Sequence, residues 1–382
     1  MVVKARIVGL SLFLALLVAG RGTEASDPAA YSFIVLGDTH YDGALSNAYH
    51  ADGGVRGNST RMSKFRRNRT NWESLMPELL NNVQSQEGAE FVVHVGDMIQ
   101  GDCEEDAVQG RMLEEALEAY CRNLPKCGGA AVPFLPVVGN HDMRSKGKDR
   151  GGRSIYEGLI WPRVETSLAD GDLALEGRDG ETYWFRREFD ENGRKRCDRF
   201  LFLDYSVGDP LATVAEWFAH AEEDAEMRYA FVVCHKAVSV LDPADHGKKG
   251  KNEWLLSKKP KKHEKLESFC RDHGVIWISG HIHRMAWKRE DVTGGLAEIS
   301  VNSVGRVDSQ GRPQWQEVGD WQDGPGGNHR YLDAAGFVRL EVSSTGVWAW
   351  FFLYDGSVRS RVCLRAAEEG AMDEPLAETL RR

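Results

Sequence analysis

Six short apolar runs, each halted by glycine or a polar residue, constrain this chain more than any other feature. YSFIVL (Tyr31–Leu36) stops at Gly37-Asp38, FVVHV (Phe91–Val95) at Gly96-Asp97, and VPFLPVV (Val132–Val138) at Gly139-Asn140. Phe200–Leu203 stops at Asp204, YAFVVC (Tyr229–Cys234) at His235, and VIWI (Val275–Ile278) at Ser279-Gly280. Short runs rich in β-branched and aromatic residues, with no polar alternation, predict strands buried on both faces. Between them, Trp72–Val83, Thr213–Glu226 and His263–His273 space their apolar residues at helical intervals. Strands alternating with helices need crossover connections, so the fold class is α/β with a largely parallel sheet.

The pattern changes after Glu181. Thr182–Phe189 and Lys195–Leu203 flank Asn192-Gly193, a hairpin turn signal. From Ala335 to Leu364, FVRLEV, VWAWFFLY and VRSRVCL are separated by Thr345-Gly346 and Asp355-Gly356 and read as antiparallel strands. The sheets are therefore expected to be mixed. Tyr41–Arg69, Gly101–Gly128, Met143–Asp179, Val238–Lys262 and Asp308–His329 read as long loops.

Lys4 and Arg6 precede the apolar run Ile7–Ala19, and Thr23 and Ala25 offer small residues at a cleavage site. This predicts a secretory signal peptide over 1–25 and a secreted or periplasmic chain, the alternative being an uncleaved anchor. The run is short for a membrane span, and no later segment reaches spanning length, so no membrane span is expected in the mature chain. A formal net charge of −10 argues against general nucleic-acid binding. Two basic runs, Arg61–Arg69 and Lys248–Lys265, are either solvated loops or a lure for an anionic substrate. Seven cysteines form no CxxC pair. A bridge among Cys103, Cys121 and Cys127 is expected, and Cys234 reads as a buried thiol. Residues 366–382 read as an acidic tail, following one domain over 30–365.

The chemistry collects at the strand ends: Asp38 and His40 (LGDTH), Asp97 (VGD), Asn140, His141 and Asp142 (VGNHD), His235 (VCHK), and His281 and His283 (GHIH). In open α/β sheets ligands gather just beyond the carboxyl ends of the strands, so these remote residues are expected to converge on one rim. Read alone, His281 and His283 are two solvated histidines. With Asp38, His40, Asp97, Asn140 and His235 they make seven oxygen and nitrogen donors without a thiolate, more than one divalent ion needs, so two ions sharing a carboxylate are expected. Residues two apart on an extended backbone point the same way, so the histidine pair can serve both.

The ordered set GDxH, GD, GNHD, H, GHxH resembles the calcineurin-like metallophosphoesterases over Ile34 to Val304. The resemblance implies two facing mixed β-sheets flanked by helices, with the tail strands completing the second sheet. It assigns a first metal to Asp38, His40, Asp97 and His283, and a second to Asp97, Asn140, His235 and His281. His141 is implied as the general acid and Asp97 as the bridge. Asp142 either orients the His141 imidazole or serves as a cap or ion-pair partner. The purple acid phosphatase branch carries a tyrosine three residues after the bridging aspartate; Gln100 stands there here, which places the chain in the non-purple branch. His94 reads as core or as support behind the ligands.

The implied function is an exported phosphoesterase in which a hydroxide bridging the two ions attacks phosphorus. Imidazole and carboxylate donors suit Mn, Fe, Zn, Co or Ni alike. The expected substrate is a small or phospholipid-type anionic phosphate ester, monoester or diester. The alternatives are a non-catalytic metal-binding or scaffolding relative and a mononuclear or non-phosphate hydrolase.

Overall fold

A computed structural model of the chain describes residues 27, 29–42, 67–101, 106–144, 151–169, 172–191, 193–222, 227–240, 255, 259–289, 296–307, 312–315, 318–324 and 329–366. The expected signal peptide, most of both basic runs, Cys103, Asn192 and nearly all of the acidic tail lie outside them. In chain order the strands are β1 (Tyr31–Leu36), β2 (Ala89–His94), β3 (Lys126–Cys127), β4 (Ala130–Ala131), β5 (Phe134–Pro136), β6 (Leu173–Asp179), β7 (Thr182–Glu191), β8 (Arg194–Leu203) and β9 (Met227–Cys234). They continue with β10 (Val275–Ser279), β11 (Met285–Lys288), β12 (Ala297–Ser300), β13 (Gln322–Asp323), β14 (Arg330–Leu332), β15 (Gly336–Ser343), β16 (Gly346–Leu353) and β17 (Val358–Ala366). The helices are α1 (Met76–Gln84, entered through a π-helical turn at Asn71–Leu75), α2 (Asp106–Arg122), α3 (Gly151–Ser167), α4 (Pro210–Glu222) and α5 (Pro260–Asp272).

One sheet has six strands in the order β17-β16-β15-β1-β2-β5, the other nine in the order β13-β14-β11-β12-β10-β9-β8-β7-β6. β1, β2 and β5 run parallel, as do β8, β9, β10 and β12, and antiparallel strands extend both sheets. All six residues of β1 and all five of β10 are buried, as uninterrupted apolar runs require. The sheets face each other through aromatic rings. Phe33 of β1 stacks on Phe91 of β2 at 4.7 Å and meets Phe200 and Phe231 of the other sheet edge-on at 5.6 and 5.9 Å. Edge-to-face pairs of this kind add about 0.5–1.5 kcal/mol each beyond area burial. Against the nine-stranded sheet, Val214, Trp217 and Phe218 of α4 and Leu266 and Cys270 of α5 cluster with Leu201, Val232 and Trp277. α1 buries Met76, Leu79, Leu80 and Val83, a single helical stripe. The fold is thus mixed α/β, with two packed sheets and helices against them.

Four expectations need correction. The tail strands join the first sheet, not the second, because β15 takes the free edge of β1 in antiparallel register from Tyr31↔Val342 to Val35↔Val338. Gly101–Gly128 and Met143–Asp179 are not simply loops. α2 buries Val108, Met112, Leu113, Ala116, Leu117 and Tyr120 at helical spacing. α3 buries Tyr156, Ile160 and Val164 despite its glycines and the internal Pro162 that disguise it as a breaker-rich segment. Cys121 and Cys127 are both exposed free thiols. Every pairing among Cys103, Cys121 and Cys127 would use one of these two, so the expected bridge is not formed. Cys234 is the expected buried thiol, its pKa raised to about 12 by burial. Among the described residues no helix is long and apolar enough to cross a membrane.

Candidate metal centre

The loops that leave β1 and β2 continue the sheet's hydrogen bonding past the strand ends. Asp38 N–H donates to the Gly96 carbonyl (3.2 Å), His40 N–H to Asp97 (3.0 Å) and Tyr41 N–H to Met98 (2.7 Å). The second sheet is tied in by His281 N–H, which donates to Asp38 Oδ2 (2.8 Å), and by His235 Nδ1, 2.9 Å from the Val95 carbonyl. Among the described residues five non-glycines have left-handed backbones: Asp38 (φ 53), His40 (45), Asp97 (54), His281 (69) and His283 (51). Each such residue stores about 1–3 kcal/mol of strain, which concentrates where structure is held for a function. The glycines of the motifs have a steric reason. A Cβ on Gly139 would strike the amide nitrogen and Oδ1 of Asp97, and one on Gly96, itself at φ +92, would come within 2.7 Å of Gly139 N.

These loops bring the seven ligand candidates and His141 together. Ligand atoms of Asp38, His40, Asp97 and His283 lie within 4.8 Å of one another, and so do those of Asp97, His235 and His281. Asp97 belongs to both groups. Its Oδ2 is 3.3 Å from His235 Nε2 and 3.9 Å from His40 Nε2, while Oδ1 accepts the His141 N–H at 2.7 Å. His40 Nε2 and His283 Nε2 face each other at 3.0 Å, and His283 Nε2 is 3.6 Å from Asp38 Oδ1. In the second group His281 Nδ1 is 3.1 Å from His235 Nε2, which is also 3.1 Å from Asn140 Oδ1.

The donor set fits a cation. Asp38 Oδ1 is buried with no hydrogen-bond donor. Burial, then the neighbouring histidines, holds His40 well below its ordinary pKa. Burial likewise drives His283 down to about 3 and His281 well below normal, so these rings are neutral and their lone pairs open. Asn140 carries its oxygen toward the His235 and His281 nitrogens, whereas the reversed amide would donate to them at 3.1 and 2.9 Å. Burial raises Asp38 well above the usual carboxylate range, and the Asp97 charge adds to it. Burial opposes ionisation of Asp97 too, but His235 and then His141 outweigh it and hold its pKa well below normal.

His141 stands beside both groups, its ring 4.7 Å from that of His40. Its Nδ1 lies 2.6 Å from the Gln100 carbonyl, and Arg144 Nη1 lies 3.0 Å from its Nε2. Nδ1 therefore carries the proton and Nε2 accepts. Asp142 does not touch that ring. Its carboxylate accepts the N–H groups of Gly139 (2.8 Å), Asp97 (2.9 Å) and Ile99 (3.2 Å), clamping the GD loop to the GNHD loop. The orienting role considered for Asp142 thus belongs to the Gln100 backbone.

Arg144 and Glu298 escaped sequence reasoning. Glu298 of β12 is fully buried and accepts the N–H groups of Val238 (2.8 Å), Ser239 (2.7 Å) and Val240 (3.0 Å), fixing the loop that starts at His235. A glutamate inside the short run Leu296–Val301 (LAEISV) was the available signal. For Arg144 it was a base two residues beyond GNHD.

His94 supports the site from behind. Its Nδ1 accepts Gly96 N–H at 3.2 Å, and its Nε2 is 3.0 Å from Thr39 Oγ1, between the two ligands of LGDTH. Burial lowers its pKa from 6.5 to about 3. Because the folded value is depressed, this histidine's contribution to stability is intact above pH 6.5 and is lost as pH falls toward 3. From pH 6.5 to 5 the loss should be about 2 kcal/mol. Urea unfolding of the cation-stripped protein at a series of pH values should show that extra decline, and His94→Gln, which can keep both hydrogen bonds, should remove it. Equal slopes in the two proteins would refute the assignment.

No curated protein matches the chain in sequence. Among solved structures it is similar to GAP50, the anchor in the inner membrane complex of Plasmodium (15% identity, 90% of this chain and 91% of that one, TM-score 0.46). It is also similar to the purple acid phosphatase PPD1 from yellow lupin seeds (14% identity, TM-score 0.51), covering 87% of this chain but only 53% of that one. A third is a dimetal phosphatase from Danio rerio (12% identity, 89% of this chain and 100% of that one, TM-score 0.45). At these identities the likeness, best supported by the lupin structure, is one of fold. The sequence model of the calcineurin-like phosphoesterases matches residues 31–285, which contain every strand-end residue described above, and the chain belongs to that family.

Proposed function

We propose that the chain is a metal-dependent phosphoric ester hydrolase. Asp38, His40, Asp97 and His283 would hold one divalent cation, and Asp97, Asn140, His235 and His281 a second. The observation that carries this reading is Asp97, whose carboxylate is shared by the two donor clusters while Asp38 Oδ1 lies buried without a donor. Bound there, two such ions would supply charge neutralisation for a phosphate and a nucleophile available near neutral pH.

The chain's own residues position and protonate. His281 N–H on Asp38 and His141 N–H on Asp97 hold the two carboxylates in fixed orientations, leaving their remaining lone pairs for cations. With Nδ1 committed to the Gln100 carbonyl, Nε2 of His141 is the atom that exchanges a proton with the departing oxygen. Arg144 Nη1 lies 3.0 Å from that nitrogen. A phosphate dianion competes for that guanidinium and frees Nε2. Of the described lysines at 259–265, Lys262 pairs with Asp209 at 2.7 Å.

The test is to strip the protein, reload it separately with Mn, Fe, Zn, Co and Ni, measure bound metal, and assay generic phosphate monoesters and diesters. Uptake of about two ions per chain with turnover is expected. One ion per chain would favour a mononuclear hydrolase. No uptake and no turnover would leave a non-catalytic relative.

A further inference from the structure

Next to His281 and His283 lies a cleft of about 290 Å³ whose walls include Arg67, Arg284 and Arg306. This sits at the lower end of the range for small-molecule pockets, about 300–1,000 Å³. Arg67 is partly buried, and among the described residues its guanidinium hydrogen-bonds to the Oδ1 of neighbouring Asn68, from Nε and Nη2 at 3.3 Å each. That partner is a neutral amide; among the described residues no carboxylate forms an ion pair with Arg67, and the Asp38 charge reaches it only through space. Burial pulls its pKa below the ordinary value, and its charge in turn depresses His283 and His40, which places the group at the edge of the cluster. Arg284 Nε and Arg306 Nη2 both converge on Asp333 Oδ1, at 2.5 and 2.9 Å. A desolvated guanidinium without a counterion is costly unless an anion completes it. This one stands in a chain whose formal net charge is −10.

Cations on the two clusters would already neutralise the phosphoryl group undergoing hydrolysis. Arg67 is thus charge in excess of what one phosphate needs, set in a cleft that His281 and His283 share with it on one side of the clusters. We propose that this cleft is a second anion subsite, anchored by Arg67, that selects phosphate esters carrying another phosphoryl group beside the scissile one, as nucleoside diphosphates do. Arg306, mostly exposed, lends charge at the rim. The substrate class rests on the hydrolase reading; the existence of the anion site does not.

Two measurements separate them. Cation-stripped full-length protein is titrated calorimetrically with inorganic phosphate. Wild type should bind it, Arg67→Ala at least about tenfold more weakly, and Arg67→Lys in between, as loss of a charge-assisted hydrogen bond predicts. Arg306→Ala, at an exposed position, gives a second reading that does not depend on refolding around a buried change, with a loss of about threefold. In the kinetic arm, manganese-loaded protein is assayed on ADP, on p-nitrophenyl phosphate, and on a phosphomonoester bearing a carboxylate in place of the second phosphoryl group. In Arg67→Ala the KM for ADP should rise at least about tenfold more than that for p-nitrophenyl phosphate. Failure of the stripped wild type to bind phosphate, or equal binding by Arg67→Ala, would overturn the subsite. Equal dependence of the carboxylate ester and ADP on Arg67 would overturn the choice of a phosphoryl group. Phosphate binding through Arg67 in a protein that hydrolyses nothing would keep the subsite and sink the hydrolase.

Discussion

Asp97→Asn should weaken cation binding by on the order of 10²-fold or more, since loss of a mere outer partner of a metal ligand typically costs 10–100-fold and this carboxylate serves both clusters. Hydrolysis should fall with it. The effect on folding has two opposed contributions. Asp38, Asp97 and Asp142 are all buried, and Asp142 is pushed up to about 7 by burial and by the charge of Asp97. An amide at position 97 relieves both neighbours and can still accept the His141 N–H through its oxygen. Against this stands the lost contact with His235, whose pKa Asp97 raises to about 9 against the pull of burial. Removing one partner of a buried ion pair typically costs about 3–5 kcal/mol, and relief of Asp38 and Asp142 offsets part of it, so the stripped variant should melt below stripped wild type yet still unfold cooperatively. Cation addition should then stabilise wild type far more than the variant. Calorimetric titration with manganese and thermal melts with and without it read both halves. Undiminished uptake would remove Asp97 from its shared role; a collapse of the stripped variant would mark it as structural only.

His141→Asn should keep the cations and lose rate in a manner that depends on the leaving group. General acid catalysis typically contributes 10²–10⁴-fold, and it matters most when the departing oxygen is a poor leaving group. On an alkyl phosphate kcat should drop by about 10²-fold, while on p-nitrophenyl phosphate, whose phenolate leaves unaided, the drop should be less than about tenfold. The paired assays, run with metal content measured on the same samples, decide it. Equal losses on both esters would mean that the imidazole binds or orients the phosphate rather than protonating its product.

The strand-end residues were legible because each needs only its own neighbourhood: an apolar run, then a donor side chain, with a glycine between them everywhere but at His235. Convergence followed from parallel topology, which crossover spacing reveals. What lay hidden depended on contacts between remote segments. Asp142 is one residue from His141, yet its carboxylate turns to Gly139, Asp97 and Ile99, a choice that only the packed loops decide. Arg67 lies in a basic run that reads equally well as solvated surface; its significance comes from the cleft beside His283. The same holds for α3, where glycines and Pro162 argue against a helix locally and burial of Tyr156, Ile160 and Val164 overrides them. The pairing of the tail with β1 is a property of which sheet edge is free, and no local pattern encodes that.

The left-handed backbones at Asp38, His40, Asp97, His281 and His283 carry an implication for descent. While an ion occupies the centre, those contorted peptides are held by the bonds their side chains make. In a lineage that gave up the chemistry, nothing would hold them, and every glycine arising there would be a relief. Relatives that keep this sandwich but have retired from hydrolysis should therefore announce themselves by glycine, or by asparagine with its tolerance of the same geometry, at the two GHxH histidines and at the GDxH pair.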